Sequence, residues 1–293
     1  MFIPGLQDTQ QTGLSSDRLF TEHPQAVDVL AAFEETKRTG SPALVVITGA
    51  PGTGKSSLIA SSLKLLQQEK LLVTMVKADR HAPVLPYAVL ITAFRSLVLT
   101  LLGLPASDVA RWRAHFGRLL GDYAGLAAHF IPEMAALMEQ KARIPPDVHS
   151  PDARKQFHNM ACNMARAFVM PGRPLVIFID DIHWADQAGL ELLQHLLSQG
   201  EEIPVMLVVA HRDVASLPDA LTGTQLEKLH QSASRTVMIT PVSLSVKNIA
   251  CWLSGIFHVK GPPRWTWLSL SMKRPAVIRC SLRSFSGRRF RTG

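Results

Sequence analysis

A glycine-rich stretch that ends in lysine and serine carries the clearest chemical signal in the sequence. Every fixed position of the phosphate-binding pattern G-x-x-x-x-G-K-[ST] is matched, by Gly49, Gly54, Lys55 and Ser56. Glycines let successive backbone N–H groups converge on phosphate oxygens, and the unpaired amides at the start of the following helix favour the same anion. The alternative, a glycine-rich turn that binds nothing, is disfavoured because the whole motif and its flanking residues agree.

The residue types in this loop predict separate roles. Lys55 would supply a mobile charge to the β- and γ-phosphates of a nucleotide, and the Ser56 hydroxyl would ligate Mg²⁺. We therefore expect ATP and Mg²⁺ as ligands. The predicted nucleotide contacts are Gly49, Ala50, Pro51, Gly52, Thr53, Gly54, Lys55, Ser56 and Ser57.

Two adjacent carboxylates, Asp180 and Asp181, follow an apolar run that begins at Leu175. At a strand end near a nucleotide, we expect Asp180 to hold Mg²⁺ and Asp181 to orient and deprotonate the attacking water. Adjacent acidic residues are also common in turns. The functional interpretation is favoured because a complete phosphate loop precedes them.

Three further polar residues lie near the ends of apolar runs. Arg212 is placed to reach the γ-phosphate as a charge-matched sensor, and the alternative is a solvated arginine at a strand end. His183 and His211 are weaker candidates. A lone histidine beside a strand end more often satisfies a backbone carbonyl than acts as a base.

Alternating apolar and helical segments predict the scaffold that positions these residues. Strands are expected at 43–48, 71–76, 175–181, 205–210 and 236–240, and helices at 17–39, 55–68, 150–169, 187–198 and 245–258, with several more within 86–140. This order predicts an α/β fold with a parallel five-stranded sheet, helices on both faces, and a helical insertion (86–170) between the second and third strands. Ligands of such sheets bind at the carboxyl ends of the strands, where the polar residues above fall.

Apolar residues at helical spacing predict the buried faces of the helices. In the first helix these residues are Val27, Leu30, Ala31 and Phe33, and in the insertion they are Leu90, Phe94, Leu97, Val98 and Leu101, followed by Trp112, Phe116, Leu119 and Leu120. Such stripes are far more often core than ligand site, so we assign them no chemistry.

Composition describes a globular protein, since 47% of the 293 residues are hydrophobic and 18% are charged. The net charge of +8 is uneven: residues 261–293 hold eight basic residues and no acidic ones, so the other 23 basic residues balance the 23 acidic ones. The basic character therefore belongs to the tail alone.

Residues 1–17 are polar and lack a basic start and an apolar block, so we expect a disordered lead-in and no signal peptide. The apolar stretch 88–105 is short for a membrane span and is interrupted by Arg95. Cys162, Cys251 and Cys280 are odd in number and widely spaced, which indicates inert thiols in a reduced, cytoplasmic protein.

The stretch Asp180-Asp-Ile-His-Trp-Ala-Asp186, followed by Leu190, Leu192 and Leu193, closely resembles a family signature. The signature is Asp-Asp-Leu-His-Trp-Ala-Asp, of the Orc1-like AAA ATPase module of bacterial signalling proteins, within the STAND class of signal-transduction ATPases. The resemblance covers roughly residues 19–260 and includes Lys77-Ala-Asp79, Pro86-Tyr-Ala88 and the pair Arg212-Asp213.

The resemblance implies a P-loop NTPase fold over residues 18–260, with Mg-ATP binding and slow hydrolysis to ADP and phosphate used as a switch. The module typically belongs to multi-sensor histidine kinases, kinase fusions and transcriptional regulators. Its partners besides ATP would therefore be other signalling domains or further copies of itself, with no membrane.

The sequence departs from the family pattern at two places. A Gly-Arg-Glu box near the start reads Thr21-Glu22-His23 here, which weakens any assignment of adenine contacts. After about residue 260 the family continues into a helical region, whereas this sequence becomes rich in Arg, Ser and Trp. We hypothesise that the chain is a fragment from a shifted frame or truncated gene, with residues 261–293 as an atypical, disordered basic tail.

Two other functions remain open besides the ATP-hydrolysing signalling switch. One is an Orc1-like, nucleic-acid-associated ATPase. Its basic tail would bind phosphates weakly and in a salt-sensitive manner, and since no winged-helix pattern is present we expect no specific nucleic acid. The other is an inactive truncated product that lacks the helical lid and leaves apolar surface exposed.

Overall fold

A computed structural model describes residues 23–241, apart from 24, 68, 70, 81–84, 140–150, 171, 200–202 and 214–219. The predicted lead-in (1–17), the helix predicted at 245–258 and the basic tail (261–293) lie outside the described residues, as do Cys251 and Cys280. No helix within the described ranges combines the length and apolarity that crossing a membrane requires.

Five parallel strands form the central sheet, in the order β2-β3-β4-β1-β5. Three of them, β1, β3 and β4, are almost wholly buried, as their β-branched and apolar sequences require. The predicted parallel five-stranded sheet is confirmed. The strands are β1 Ala43–Thr48, β2 Val73–Lys77, β3 Leu175–Asp180, β4 Val205–His211 and β5 Arg235–Ile239.

Nine α-helices surround the sheet in the part of the chain that the structure describes. They are α1 Ala26–Thr39, α2 Lys55–Gln67, α3 Ala88–Leu102, α4 Ala106–Leu120, α5 Ala124–Phe130, α6 Glu133–Met138, α7 Pro151–Phe168, α8 Gln187–Leu197 and α9 Ala220–Ser232. Helices α3 to α7 all fall between β2 and β3, so the predicted helical insertion is confirmed.

Alternate residues of the strands divide the core into two layers, because successive side chains of a strand point to opposite faces. On one face, Val45, Phe178 and Val208 pack with apolar residues of α1 and α2. On the other face, Val46, Ile177 and Leu207 pack with the insertion, α8 and α9. The predicted stripe of α3 is buried as expected, from Leu90 to Leu101. The sheet is therefore covered on both faces.

The predicted buried face of α1 is only partly right. Phe33 is fully buried, but Val27 is 62% exposed and Ala31 is also exposed. The buried residues of α1 are Ala26, Val29, Ala32, Phe33 and Thr36. These residues recur at helical spacing as well. Two alanines and a threonine belong to the buried face, whereas the larger Val27 does not, so side-chain hydrophobicity alone did not identify this face.

Helix α9 and the bounds of several strands also differ from the prediction: β2 is Val73–Lys77 rather than 71–76, and β5 is Arg235–Ile239 rather than 236–240. Helix α9 is absent from the predicted elements because its sequence is mostly polar. Its residues Leu226 and Leu229 are buried, and the helix packs against α8. Strand β3 ends one residue earlier than predicted, because Asp181 adopts a left-handed conformation with φ 55°.

Burial raises the pKa of the Cys162 thiol to about 11, which agrees with an inert thiol at this position.

Candidate active site

The loop that joins β1 to α2 has backbone conformations that glycine adopts readily. Gly52 and Gly54 have φ angles of 87° and 98°, in a region that a Cβ atom disfavours. Between them, the Thr53 backbone N–H and hydroxyl both donate to the Ala50 carbonyl, at 3.3 and 2.9 Å. The loop is thus closed by its own hydrogen bonds. Pro51 lies in this loop, and Ser57 lies in the first turn of α2.

The ammonium group of Lys55 lies against the carbonyl groups of this loop. Lys55 is only 8% exposed, and its Nζ donates to the Gly49 carbonyl at 2.8 Å and to the Ala50 carbonyl at 3.0 Å. A buried cation needs such acceptors. The same cation lies at the first residue of α2, where the helix presents unpaired amides, so both groups favour an anion at this place.

Ser56 and Asp180 meet between the loop and the end of β3. The Ser56 hydroxyl donates to Asp180 Oδ2 at 2.8 Å, although 124 positions separate the two residues. Asp180 is only 3% exposed, and its second oxygen, Oδ1, accepts from the Asp181 N–H at 3.0 Å. The two predicted metal ligands are therefore adjacent, and each Asp180 oxygen is oriented by a hydrogen bond.

The carboxylate of Asp181 faces β2. Lys77 is opposite Asp180 in the parallel register of β2 and β3, and its Nζ lies 3.5 Å from Asp181 Oδ2. The left-handed turn at Asp181 starts a short 3₁₀ helix, Ile182–Trp184. No role for Lys77 is predicted from the sequence. Its position in the motif Lys77-Ala-Asp79, at the end of a predicted strand, was the available signal.

Arg212 follows directly after β4, the neighbour of β3 in the sheet, as predicted. It is partly exposed, and its positive charge acts on the imidazole of His183, where it contributes to a lowered pKa. Its backbone carbonyl accepts a hydrogen bond from His211 Nδ1 at 2.6 Å. His211 therefore satisfies a backbone carbonyl, as the sequence predicted.

His183 does not fill the same role. It is buried in the 3₁₀ helix, and within the described part of the chain neither of its ring nitrogens has a hydrogen-bond partner. Burial lowers the pKa of His183; Asp181 raises it, and Arg212, His211 and Lys55 each lower it. The expectation that this histidine satisfies a carbonyl is not met, and its ring lies among the charged groups of the site.

Asp186 connects this segment to the helical insertion. It caps the N-terminus of α8, where its Oδ1 accepts from the Gly189 N–H at 2.7 Å, and the same oxygen accepts from the Tyr87 N–H at 2.9 Å. Tyr87 precedes α3 and has a φ of 64°. One carboxylate thus joins the residues after β3 to the start of the insertion.

The residues present fit a nucleotide with Mg²⁺. Mg²⁺ is usually held by one or two protein oxygens together with phosphate oxygens, and the Ser56 hydroxyl and Asp180 carboxylate form such a pair. The ammonium of Lys55 and the amides that open α2 are the donors that phosphates require. Among the described residues, no cluster of three or more His, Cys, Asp or Glu could hold a metal by itself.

The chain is similar to a known protein family. The family described as AAA ATPase domain matches residues 24–209. A curated relative, hybrid signal transduction histidine kinase G of Dictyostelium discoideum, is 24% identical over 196 residues, a match that covers 67% of this chain and 6% of that protein. The chain thus spans a small part of the length of this relative.

Solved structures with similar folds have low sequence identity. The Walker-type ATPase of Pyrococcus abyssi is 11% identical with a TM-score of 0.42, and the match covers 83% of this chain and 60% of that one. Cdc6p from Pyrobaculum aerophilum is 12% identical with a TM-score of 0.43, covering 85% and 55% of the two chains. The family match spans more than half of the chain and contains the phosphate loop and both carboxylates. The chain belongs to the AAA ATPase domain family.

Proposed function

We propose that this domain binds Mg-ATP, hydrolyses it slowly to ADP and phosphate, and uses the two nucleotide states as a switch in signal transduction. The observation that supports this most is the 2.8 Å hydrogen bond between Ser56 Oγ and Asp180 Oδ2, beside the buried Lys55. The bond joins a carboxylate at the end of β3 to a hydroxyl in the first turn of α2, the helix that begins with the ammonium-bearing Lys55. These are the groups that phosphoryl transfer requires.

Each side chain then has a distinct role. The Lys55 ammonium, now bonded to the carbonyls of Gly49 and Ala50, would exchange these acceptors for phosphate oxygens. Ser56 and Asp180 would hold Mg²⁺, which when bound neutralises charge on the β- and γ-phosphates. Asp181 would orient the attacking water and accept its proton. Arg212 would approach the terminal phosphate from the end of β4.

Phosphate release tests the hydrolytic part of this proposal. We expect the purified chain to release phosphate from Mg-ATP slowly, and Asp181→Asn to lose most of this turnover while it still binds ATP. The asparagine keeps the volume of the side chain but cannot accept the proton at this position. Equal turnover in wild-type and Asp181→Asn would contradict the role of Asp181.

The signalling role rests on two lines of support. The resemblance of residues 180–186 to the signature of signalling ATPases is one. The other is the match to the Dictyostelium protein, whose name is that of a signal transduction histidine kinase and of which this region forms 6%. We propose that the domain acts as one part of a longer signalling protein in the cytoplasm.

The structure offers a route for the switch. Asp186 bonds both to Gly189 at the start of α8 and to Tyr87 before α3, so a shift of the residues after β3 would reach the insertion. Amide hydrogen exchange with a non-hydrolysable ATP analogue and with ADP tests this. We expect different exchange in α3 between the two states, and no difference in Asp186→Ala. Identical exchange in both states would contradict the switch.

A further inference from the structure

The imidazole of His183 is an unusual feature of this site. His183 is 3% exposed, and neither Nδ1 nor Nε2 of its ring has a hydrogen-bond partner within the described ranges. A neutral imidazole offers one N–H donor and one acceptor, and groups of this kind are normally paired when they are buried. A buried ring with both nitrogens unpaired is therefore ready to bind a ligand with hydrogen-bonding atoms.

The position of the ring identifies the kind of ligand. His183 lies in the 3₁₀ helix that follows Asp181, and this helix packs against β4, the strand that leads to Arg212. The charges of Asp181, Arg212 and Lys55 all act on the ring. The ring thus belongs to a segment that directly follows Asp181 and packs against the strand that ends beside Arg212, the proposed contact of the terminal phosphate.

Burial does not separate His183 from such a ligand. Lys55 and Asp180 are buried to a similar degree, although phosphate and Mg²⁺ are their proposed ligands. Burial is the largest influence on the pKa of His183 and lowers it, and this effect outweighs the raising effect of Asp181, so the ring is neutral at pH 7 and keeps one N–H. The neighbouring His211 is already bonded, through Nδ1, to the Arg212 carbonyl.

We propose that His183 is a specificity-determining residue of the nucleotide site, whose ring N–H donates a hydrogen bond to the terminal phosphate of a nucleoside triphosphate. This inference rests on the proposed function. It adds that His183 lets the domain distinguish ATP from ADP, because ADP lacks the phosphate that the ring would contact.

Calorimetry with Mg²⁺ and either a non-hydrolysable ATP analogue or ADP tests the proposal. The variant His183→Phe keeps a ring and loses both nitrogens. We expect it to bind the analogue about 10-fold more weakly and ADP as well as wild-type, since a hydrogen bond to a charged group is lost only for the triphosphate. His183→Asn, which retains an N–H donor, should recover part of the affinity for the analogue.

His158→Phe is the matched control, because His158 also has a buried Nε2 with no partner among the described residues but lies on α7, in the insertion. It should bind both nucleotides as wild-type does. Equal affinities of His183→Phe and wild-type for the analogue, or equal losses for the analogue and ADP, would overturn the proposal. If His183→Phe does not fold, His183→Ala is measured with the same two outcomes. A wild-type chain that binds neither nucleotide would overturn the proposed function and this inference together.

Discussion

The Ser56 hydroxyl donates a 2.8 Å hydrogen bond to Asp180 Oδ2, and this bond joins the phosphate loop to the end of β3. The two oxygens are the proposed Mg²⁺ ligands, so the pair is assembled in the fold itself. Such preorganisation lowers the conformational cost of binding a cation, because neither side chain has to be ordered when it binds.

Asp180→Asn should therefore remove the magnesium dependence of nucleotide binding. The amide oxygen can still accept from Ser56, but the negative charge that attracts the cation is lost. We expect chelation of Mg²⁺ to weaken ATP binding to wild-type at least about 10-fold and to have little effect on the variant. Titration calorimetry with and without a chelator measures this. Equal magnesium dependence in both proteins would rule out Asp180 as a ligand.

Lys77→Met should raise the rate of ATP turnover. Lys77 Nζ lies 3.5 Å from Asp181 Oδ2 and holds this carboxylate towards β2, so removal of the lysine frees the carboxylate to turn towards the water that it would orient. The lysine is largely exposed, and exposed ion pairs contribute about 0.2–1 kcal/mol, so the increase should be at most about 5-fold. Phosphate release under saturating ATP measures it.

Lys37→Met on α1 is the control for this variant, because Lys37 forms a comparable exposed pair with Glu34 on α1, the helix before the phosphate loop. It should leave turnover unchanged. A fall in turnover in Lys77→Met would show instead that the ion pair supports the active position of Asp181.

Asp186→Ala should destabilise the fold. The change removes the cap of α8 and leaves the Tyr87 N–H without its acceptor, losses worth about 1–3 kcal/mol in free energy of unfolding. Urea unfolding measures the difference. Asp108→Ala, in the first turn of α4 with an exposed pair to Arg111, should cost below about 0.5 kcal/mol. Equal losses of unfolding free energy in the two variants would show that the hydrogen bonds of Asp186 stabilise the fold no more than an exposed ion pair does.

The free energy of unfolding should fall as the pH drops below about 6.5. Burial lowers the pKa of several histidines from their ordinary value of 6.5, so the unfolded chain takes up protons near that pH while the folded chain stays neutral. Stability is then complete above the unfolded pKa and is lost as the pH falls towards the lowered values. The residues concerned are His23, His158, His183, His211 and His230.

Urea unfolding at about pH 7.5 and about pH 5.5 checks this, since Asp and Glu titrate mostly below that interval. His158→Phe should reduce the difference between the two values, because it removes one of the groups that protonate on unfolding. An unchanged or higher stability at the lower pH would contradict the direction.

Much of the scaffold could be predicted because its strands are buried. The sequences of β1 and β3 are continuous apolar runs that end in polar residues, and the predicted positions agree with the structure to within one residue. Helix α9 was not predicted, since Leu226 and Leu229 give only a short apolar pattern in a polar sequence. Its packing against α8 is a tertiary contact that local periodicity does not contain.

The candidate site divides in the same way. The motif predicted that Ser56 and Asp180 would act together, and the structure places them in contact. The pair between Lys77 and Asp181 depends on the register of β2 against β3, which no local pattern specifies. The unpaired ring of His183 likewise depends on what surrounds it in the fold. Contacts between distant segments that no motif specifies are therefore what the sequence left open.

Calorimetric titration of the full chain with ATP and Mg²⁺ tests the central claim most directly, with Lys55→Ala and the control Lys37→Ala measured alongside. Lys55 Nζ is buried against the phosphate loop, whereas Lys37 lies on α1 and pairs with Glu34. We predict saturable binding by wild-type and Lys37→Ala, and its loss in Lys55→Ala. A folded wild-type chain that does not bind ATP, or a Lys55→Ala variant that binds it as tightly as wild-type, would contradict this account.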